Sequence, residues 1–448
     1  MSFPRYPEYK DSGVEWLGEV PAHWEVKRLR YVVRLNPSKS ELRALPSETL
    51  VSFIPMEAVG EEGSLSLEQT RVLEDVIEGY TYVREEDVAV AKITPCFENG
   101  KAAIMRGLQN GVGLGTTELS VLRSKWPATT PDYLFRVVTS ETFRWLGEAH
   151  MYGAGGQKRV PDDFMRNFSI AWPTTHEQID IASFLDHETG KIDALIEEQR
   201  RLIELLEEKR QAVISHAVTK GLDPDVPMKD SGVEWLGEVP AHWEVVSLKR
   251  IVEFQRGHDL PVDTREEGQI PVVSSGGYTG FHDKWIAKGP GIVTGRYGSI
   301  GKFILVEENY WPLNTSLYST DMHGNNPVYI WYLLHSLANH FILNSLKSAV
   351  PGVDRNDIHS VLAALAPVVE QEKIVKYLEG TLGKIDDLTV EAGCNIDLLR
   401  ERRSALISAT VTGKIDVRGW SLGVDHEEPE LPMVADQKSG YSSWNGAA

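Results

Sequence analysis

The chain contains two copies of one framework, and this internal duplication constrains the fold more than any other feature. Residues 10–26 read KDSGVEWLGEVPAHWEV, and residues 229–245 repeat the same sequence without a change. A looser repeat pairs residues 177–221 with residues 370–414 at a constant offset of 193. Because repeated sequence encodes repeated structure, the order of motif, variable segment and helix predicts two globular heads on matching frames.

The segments enclosed by the two frames do not resemble each other. The first motif repeats at an offset of 219 and the helical repeat at 193, so the first variable segment is 26 residues longer than the second. This pattern indicates that the frames do the same job twice, whereas the two inserts do different jobs.

The helical repeats carry apolar residues at spacings of three and four, which is typical of an amphipathic helix. We expect Gly190 and Gly383 to separate a short first helix (about 177–187 and 370–379) from a long second one. Each apolar stripe needs a partner, and the other copy is the nearest one, so we predict an antiparallel coiled coil. The residues predicted to pack between the helices are Ile192, Leu195, Ile203, Leu206 and Val213 in the first copy, and Ile385, Leu388, Ile396, Leu399 and Leu406 in the second.

The length of these helices suggests a function. The stretch from Lys191 to Val218 is about 42 Å long at ~1.5 Å per residue. A rigid rod of this length, holding two heads in a pseudo-two-fold relation, would separate them by roughly one turn of DNA, ~34–36 Å, or somewhat more. Two heads so placed would read two short half-sequences with a fixed gap between them.

Both variable segments have short β-like runs followed by one aromatic-rich helical stretch, at 130–147 and at 326–342. This order predicts an α+β fold, twice. We place a first recognition domain at 1–175, a helical region at 176–225, a second recognition domain at 226–368 and a second helical region at 369–415. Residues 416–448 form an acidic, Gly/Ser-rich tail that we expect to be disordered.

Polar, glycine-containing loops in both heads are the candidate DNA-binding elements. Arg, Lys, Asn and Gln can contact base edges, Ser and Thr can contact phosphate, and glycine lets the backbone come close. Such loops are also ordinary turns, and this alternative stays open for each residue. The candidates are Lys92, Thr94, Asn99, Lys101, Gln157, Lys158 and Arg159 in the first head, and Ser274, Ser275, Tyr278, Thr294, Arg296, Tyr297, Ser299, Lys302, Arg355 and Asn356 in the second.

The net charge of −19 seems to oppose a nucleic-acid partner. However, the variable segments are almost neutral, with 18 basic and 19 acidic residues in 27–175 and 10 basic and 11 acidic residues in 246–368. Either segment can therefore carry a basic face, and we expect a more basic partner to help the chain bind DNA.

Recognisable catalytic chemistry is missing from the sequence. There is no NPPY or DPPY element, no glycine fingerprint for S-adenosylmethionine, no Walker motif and no HExxH. The two cysteines, Cys96 and Cys394, are far apart and fit a reducing cytoplasm, and no apolar run approaches the ~18–20 residues that span a bilayer. We therefore predict no catalytic residue, no metal site and a cytoplasmic protein. The tryptophans of the exact repeat are interpreted as packing residues.

Over residues 5–415 the sequence resembles the specificity subunits of type I restriction–modification systems. The resemblance rests on SGVEWLGEVPAHWEV, on the PxxxEQ helix start from Pro173 to Gln178, on the GKID element and on VTKGLD at 218–223. The second copy departs slightly, with PxxEQ from Pro367 to Gln371 and VTGKID in place of VTKGLD.

The resemblance implies a non-catalytic subunit whose two target-recognition domains each read one half of a split site in double-stranded DNA. It further implies assembly with two methyltransferase subunits and two translocase–endonuclease subunits. S-adenosylmethionine, ATP and magnesium would then belong to those partners, and the conserved helices would dock the methyltransferases. Two alternatives remain, a helical scaffold with protein-binding heads and a DNA-modifying enzyme with an unrecognised active site.

Overall fold

The computed structural model describes residues 3–154, 156–296, 299–345 and 352–421. Contacts divide the chain into two units. The first comprises Met1–Leu195 together with Asp397–Ala448, and the second comprises Ile196–Ile396. The predicted boundaries give each helical region a domain of its own. Each unit of the contact division contains one head and a part of both long helices, and the predicted boundaries stay a prediction.

The first unit is built from short strands and helices, followed by the first long helix. Its strands are β1 (Tyr9–Asp11), β2 (Glu19–Pro21), β3 (Glu25–Arg28), β4 (Val33–Leu35), β5 (Leu50–Ile54), β6 (Thr70–Val72), β7 (Thr81–Arg84), β8 (Val88–Ala91), β9 (Ala102–Ile104), β10 (Val112–Gly115), β11 (Leu119–Ser124) and β12 (Ser169–Trp172). Its helices are α1 (Leu29–Val32), α2 (Leu73–Val76), α3 (Pro131–Val138), α4 (Glu141–Ala149), α5 (Asp162–Asn167) and the start of α6 (Thr175–Lys220). The larger sheets have the orders β6-β5-β10-β7 and β4-β11-β8-β9, and β5 pairs with β10 in parallel.

The second unit follows the same plan with different sheets. Its strands are β13 (Met228–Asp230), β14 (Glu238–Pro240), β15 (Glu244–Ser247), β16 (Glu253–Arg256), β17 (Ile270–Ser274), β18 (Gly277–His282), β19 (Gly291–Gly295), β20 (Phe303–Val306), β21 (Trp311–Pro312), β22 (Ser316–Asp321) and β23 (Leu362–Leu365). Its helices are α7 (Pro327–Ser336), α8 (Ala338–Ser345), α9 (Arg355–Ser360) and the first part of α10 (Val368–Val411). The sheet orders are β16-β22-β19-β20 and β18-β17-β21. The predicted architecture of two α+β heads and two long helices is confirmed.

The exact repeat forms the same small structure in each unit. β1 pairs with β2 and β13 with β14, both antiparallel and in the same register after the offset of 219. The next strand of each copy, β3 or β15, pairs with the strand that leads into the long helix, β12 or β23. The repeat therefore closes each head at the point where its long helix begins.

A glutamate at the start of each long helix binds this structure. Glu177 accepts hydrogen bonds from the Trp24 indole at 3.1 Å and from the Tyr6 hydroxyl at 2.7 Å. Glu370 accepts one from the Trp243 indole at 2.9 Å. The two indoles are 0% and 1% exposed, in agreement with the packing interpretation of the tryptophan-rich motif.

The glutamine that follows binds the head on the other side. The Gln178 side chain accepts the backbone N–H of Thr130 at 3.0 Å, and Gln371 accepts that of Asn326 at 2.8 Å. Thr130 and Asn326 are the N-caps of α3 and α7. The EQ pair of each PxxxEQ-like motif thus joins the tryptophan-rich structure and the head helix to the long helix.

The predicted break at the two glycines is wrong. α6 runs without interruption through Gly190 over 46 residues, and α10 runs through Gly383 over 44 residues. A glycine inside a helix costs only about 1 kcal/mol, which the packing on either side outweighs. At ~1.5 Å per residue α6 is about 69 Å long, well beyond the length expected for its second part alone.

The buried stripe of the helices also differs in detail from the predicted one. Ile192, Leu206, Ile385, Ile396 and Leu406 are buried, whereas Ile203, Val213 and Leu399 are half-buried. Leu195 and Leu388 are 44% and 48% exposed and lie outside the stripe. The chain turns about 100° per residue in a helix, so the position after Ile192 on the buried side is Ile196, which is 4% exposed.

The first residues of the predicted disordered tail are ordered. Val417 is 2% exposed, and the Arg418 guanidinium lies 4.9 Å from the centre of the Tyr6 ring. The Trp420 ring contacts Phe184 of α6 edge-on, with the ring centres 5.6 Å apart. Residues 416–421 therefore belong to the first unit, and residues 422–448 lie outside the described residues.

Candidate nucleic-acid interface

The structure brings the two candidate loops of the first head together. The backbone N–H of Thr94 donates to the Lys158 carbonyl at 3.0 Å, and the Thr94 hydroxyl donates to the same oxygen at 3.3 Å. Ile93 and Arg159 form an isolated bridge between the loops. The segments 92–101 and 156–159 therefore lie side by side and form one surface.

Several candidate side chains on this surface already have protein partners. Arg159 forms a bidentate pair with Glu118 at 2.8 and 2.7 Å, and these hydrogen bonds lower the pKa of the Glu118 carboxyl. Asn99 donates to Glu61 at 3.0 Å, and Lys101 donates to a backbone carbonyl at 3.4 Å.

The remaining candidates of the first head differ in exposure. Lys92 is half-buried, and its charge adds to that of Arg159 in lowering the pKa of Glu118. Gln157 and Lys158 are exposed. Gln157 and Lys158 are thus the candidates best placed to reach a duplex.

Three loops converge in the second head. The Ser299 hydroxyl donates to the Ser275 carbonyl at 2.5 Å, which joins the turn after β17 to the loop after β19. The backbone N–H of Val353 donates to the Arg296 carbonyl at 2.9 Å, which brings the segment before α9 to the same place. Loops that are far apart in sequence therefore share one surface.

The candidate side chains of this surface differ in their exposure. Tyr278 is 59% exposed, and Lys302, Arg355 and Asn356 are also exposed. Thr294 is 3% exposed on the inside of β19, so its side chain does not belong to the surface. The other four described candidates, Ser274, Ser275, Arg296 and Ser299, are half-buried. Tyr297 lies outside the described residues.

One exposed residue was missed from the sequence. Phe281 is 61% exposed on the edge strand β18 and pairs with Pro271, as Tyr278 pairs with Val273 two residues along. Both aromatic side chains therefore lie on the same face of the hairpin, although they are three positions apart in sequence. The strand is irregular at Gly280, which has φ +130°. A simple alternation of residues therefore does not predict that these two side chains share a face.

A histidine holds the short helix that carries Arg355 and Asn356. The His359 Nε2 atom accepts the backbone N–H of Phe254 at 2.8 Å, which anchors α9 on β16. Burial lowers the pKa of His359, and the nearby charges of Lys249 and Arg355 lower it further, against an opposing effect of Glu253.

Because the neutral form of His359 makes this contact, we expect the second unit to lose stability in mild acid. A folded pKa below the unfolded value of about 6.5 gives stability that is complete above that pH and is lost as the pH falls through the folded pKa. Denaturant unfolding at pH 7.5 and pH 5 should show a smaller acid loss for His359→Gln, whose amide oxygen can accept without titrating. His216→Gln, on an exposed part of α6, is the control, and an equal effect of the two variants would contradict the assignment.

Two features concern other kinds of site. Within the described ranges, no group of three or more His, Cys, Asp or Glu side chains is arranged to hold a metal ion. In the same part of the chain, no helix combines the length and the apolar character that crossing a membrane requires.

The known proteins to which this chain is similar belong to type I restriction–modification systems. Residues 240–389 match the model of the type I restriction modification DNA specificity domain. The chain is 42% identical over 161 residues to the Type I restriction enzyme EcoAI specificity subunit of Escherichia coli. This match covers 36% of the chain and 27% of the relative, so the chain spans about a quarter of that protein's length.

Solved structures extend the likeness of fold to most of the chain. A structure described as the structural basis of complex assembly and conformational transition of the type I R-M system aligns with a TM-score of 0.73 at 15% identity. It covers 88% of this chain and 99% of the other. The HsdS subunit from Thermoanaerobacter tengcongensis aligns with a TM-score of 0.54 at 15% identity, over 88% and 98% of the two chains.

Proposed function

We propose that this chain, which is a relative of the type I restriction–modification specificity subunits, is the non-catalytic subunit that gives such an enzyme its DNA sequence specificity. Each head reads one half of a bipartite site in double-stranded DNA. The observation that carries the proposal is the duplication itself, since two matching frames present two unlike sets of converging polar loops.

The chemistry of the enzyme belongs to partner subunits in this proposal. Two methyltransferase subunits would modify adenine with S-adenosylmethionine, and two translocase–endonuclease subunits would cleave DNA with ATP and magnesium, all in the cytoplasm. The chain is strongly acidic at −19, so contacts between the partners and the phosphates are expected to supply much of the non-specific affinity.

The long helices offer equivalent positions for two copies of a partner. Leu195 and Leu388 correspond at the offset of 193 and are 44% and 48% exposed. Leu205 and Leu398 correspond in the same way and are 44% and 62% exposed. Exposed apolar side chains that recur in both copies support methyltransferase docking on the helices, once per copy.

The test uses the complex of this chain with its methyltransferase subunits and selection from random duplexes. The variant Lys302→Ala/Arg355→Ala should relax the preference at one half-site by about tenfold or more, because each good base contact contributes about 1–3 kcal/mol of discrimination. The other half-site should keep its preference.

Lys284→Ala is the matched control, because Lys284 is exposed in the same unit but is paired with Asp283 at 3.4 Å. A response of both half-sites, or of neither, would contradict the assignment of one head to one half-site. If the wild-type complex selected no sequence, the scaffold with protein-binding heads would be the better account.

A further inference from the structure

An aspartate–arginine pair joins the long helices in each unit. In the first unit Arg403 of α10 donates to Asp193 of α6 through Nε at 2.8 Å and through Nη2 at 3.3 Å. In the second unit Arg210 of α6 donates to Asp386 of α10. From one pair to the other, the position advances by 17 residues on α6 and goes back by 17 on α10, so the helices run antiparallel.

The two pairs are the same contact made twice. At the offset of 193, Asp193 corresponds to Asp386 and Arg210 corresponds to Arg403. Both aspartates end a GKID element, and this gives that element a structural role. The sequence repeat has therefore preserved both partners of an interhelical contact, one partner on each helix.

The spacing of the buried stripe between the helices does not by itself define their register. Its positions follow a strict seven-residue repeat with alternating spacings of four and three, and all of them are buried or half-buried. They are 192, 196, 199, 203, 206, 210, 213 and 217 on α6, and 385, 389, 392, 396, 399, 403, 406 and 410 on α10. An antiparallel slip of one heptad superposes the stripe on itself.

The ion pairs do distinguish these registers. A slip of seven residues in one direction or the other would place Ile396 or Thr410 opposite Asp193 in place of Arg403. Arg403 occupies a stripe position and its side chain is only 18% exposed. One slip would place it opposite Arg200, which leaves a largely buried cation without an anionic partner. The other slip would place it opposite Asp186, which already pairs with Arg136 of the first head, and would leave Asp193 facing Ile396. A charged residue inside a coiled-coil stripe is known to select register in this way.

We propose that Asp193, Arg403, Asp386 and Arg210 are positioning residues that fix the register of α6 against α10. Resting on the proposed function, this register sets the number of base pairs between the two half-sites. The four residues contact no DNA in this proposal and act only through the helices that carry the heads.

The experiment presents the methyltransferase complex with a library in which both selected half-sites are fixed and the gap between them varies. The wild type should select one gap length. Asp193→Arg and Arg403→Asp should each lower the preference for that gap over its neighbours by about tenfold or more, while the half-site sequences stay unchanged. The exchange Asp193→Arg/Arg403→Asp should restore the gap, because the pair is re-formed with reversed polarity.

Arg201→Glu is the control, since Arg201 pairs within α6 with Glu204 at 2.8 Å and both side chains are exposed. Thermal unfolding is measured for each variant, and Asp193→Asn replaces any charge reversal that does not fold. Single variants that retain the wild-type gap preference, or an exchange that fails to restore it, would overturn this inference alone. A wild type that selects no half-sites would overturn the proposed function as well.

Discussion

A chain in which Asp87 is replaced by alanine is expected to lose about 3 kcal/mol of the free energy that holds the first unit folded. Asp87 is 0% exposed and accepts two hydrogen bonds from Arg123, at 2.7 and 2.8 Å. The Arg123 side chain is 6% exposed, so removal of the carboxylate leaves a buried cation without its main partner. Glu41, which also binds Arg123 at 3.0 Å, keeps the effect at the lower end of the range for broken buried pairs.

The measurement is hydrogen exchange of the first unit's core amides under native conditions, which reports its unfolding free energy. Arg166→Ala is the control, because its pair with Asp162 at 3.9 Å is exposed and contributes about 0–1 kcal/mol. In the methyltransferase complex, Asp87→Ala should weaken reading of one half-site and leave the other intact. Equal losses of unfolding free energy for the two variants would show that the buried pair stabilises the unit no more than the exposed pair does.

The second large effect is expected at the tryptophan-rich motif. Trp243→Ala should cost about 3–5 kcal/mol, because it removes a fully buried indole from the core of the second unit. That core cluster includes Trp243, Phe254, Tyr329 and Leu378. The substitution also removes the indole N–H that binds Glu370 at the start of α10. The head and its long helix should both be destabilised.

Trp235→Ala is a matched control within the same motif. Trp235 is 43% exposed and contacts the His340 ring at 5.4 Å between ring centres. Its removal should therefore cost far less than that of Trp243, as judged by denaturant unfolding of the two variants side by side. Comparable losses would mean that the motif acts through its exposed surface and not through packing.

The repeated parts of the fold could be predicted because repetition marks them. The seventeen identical residues and the helical repeat predict the two heads, the two long helices and the packing role of the tryptophans. The EQ pair was visible as a motif, but its two contacts were not, since the Gln178 and Gln371 partners lie about 50 residues earlier in the chain.

Local rules failed where packing outweighs them. Gly190 and Gly383 were expected to end a helix, yet each is only one unfavourable residue within a helix of more than 40. Leu195 and Leu388 are apolar but exposed, whereas Arg210 and Arg403 are charged but lie in the stripe. Hydrophobicity alone could not assign these four residues to the stripe or to the surface. The ion pairs that place the two arginines in the stripe join residues 176 and 210 positions apart.

The candidate surface was predictable by loop and not by side chain. The sequence identified the segments around Lys158, Ser275 and Lys302. In the first head the Lys158 loop lies against the Thr94 loop, and in the second head the Ser275 loop lies against the loop of Ser299 and Lys302. The sequence could not show that Thr294 points inward or that Arg159 is paired with Glu118, because both facts depend on strand pairing.

The most direct test of the account is a map of methylated adenines in the genome of cells that express this chain with its methyltransferase subunits. If each head reads one half-site, the methylated positions should share two short, unlike half-sequences separated by a constant number of unread base pairs. A single uninterrupted motif, or methylation without any shared sequence, would contradict it.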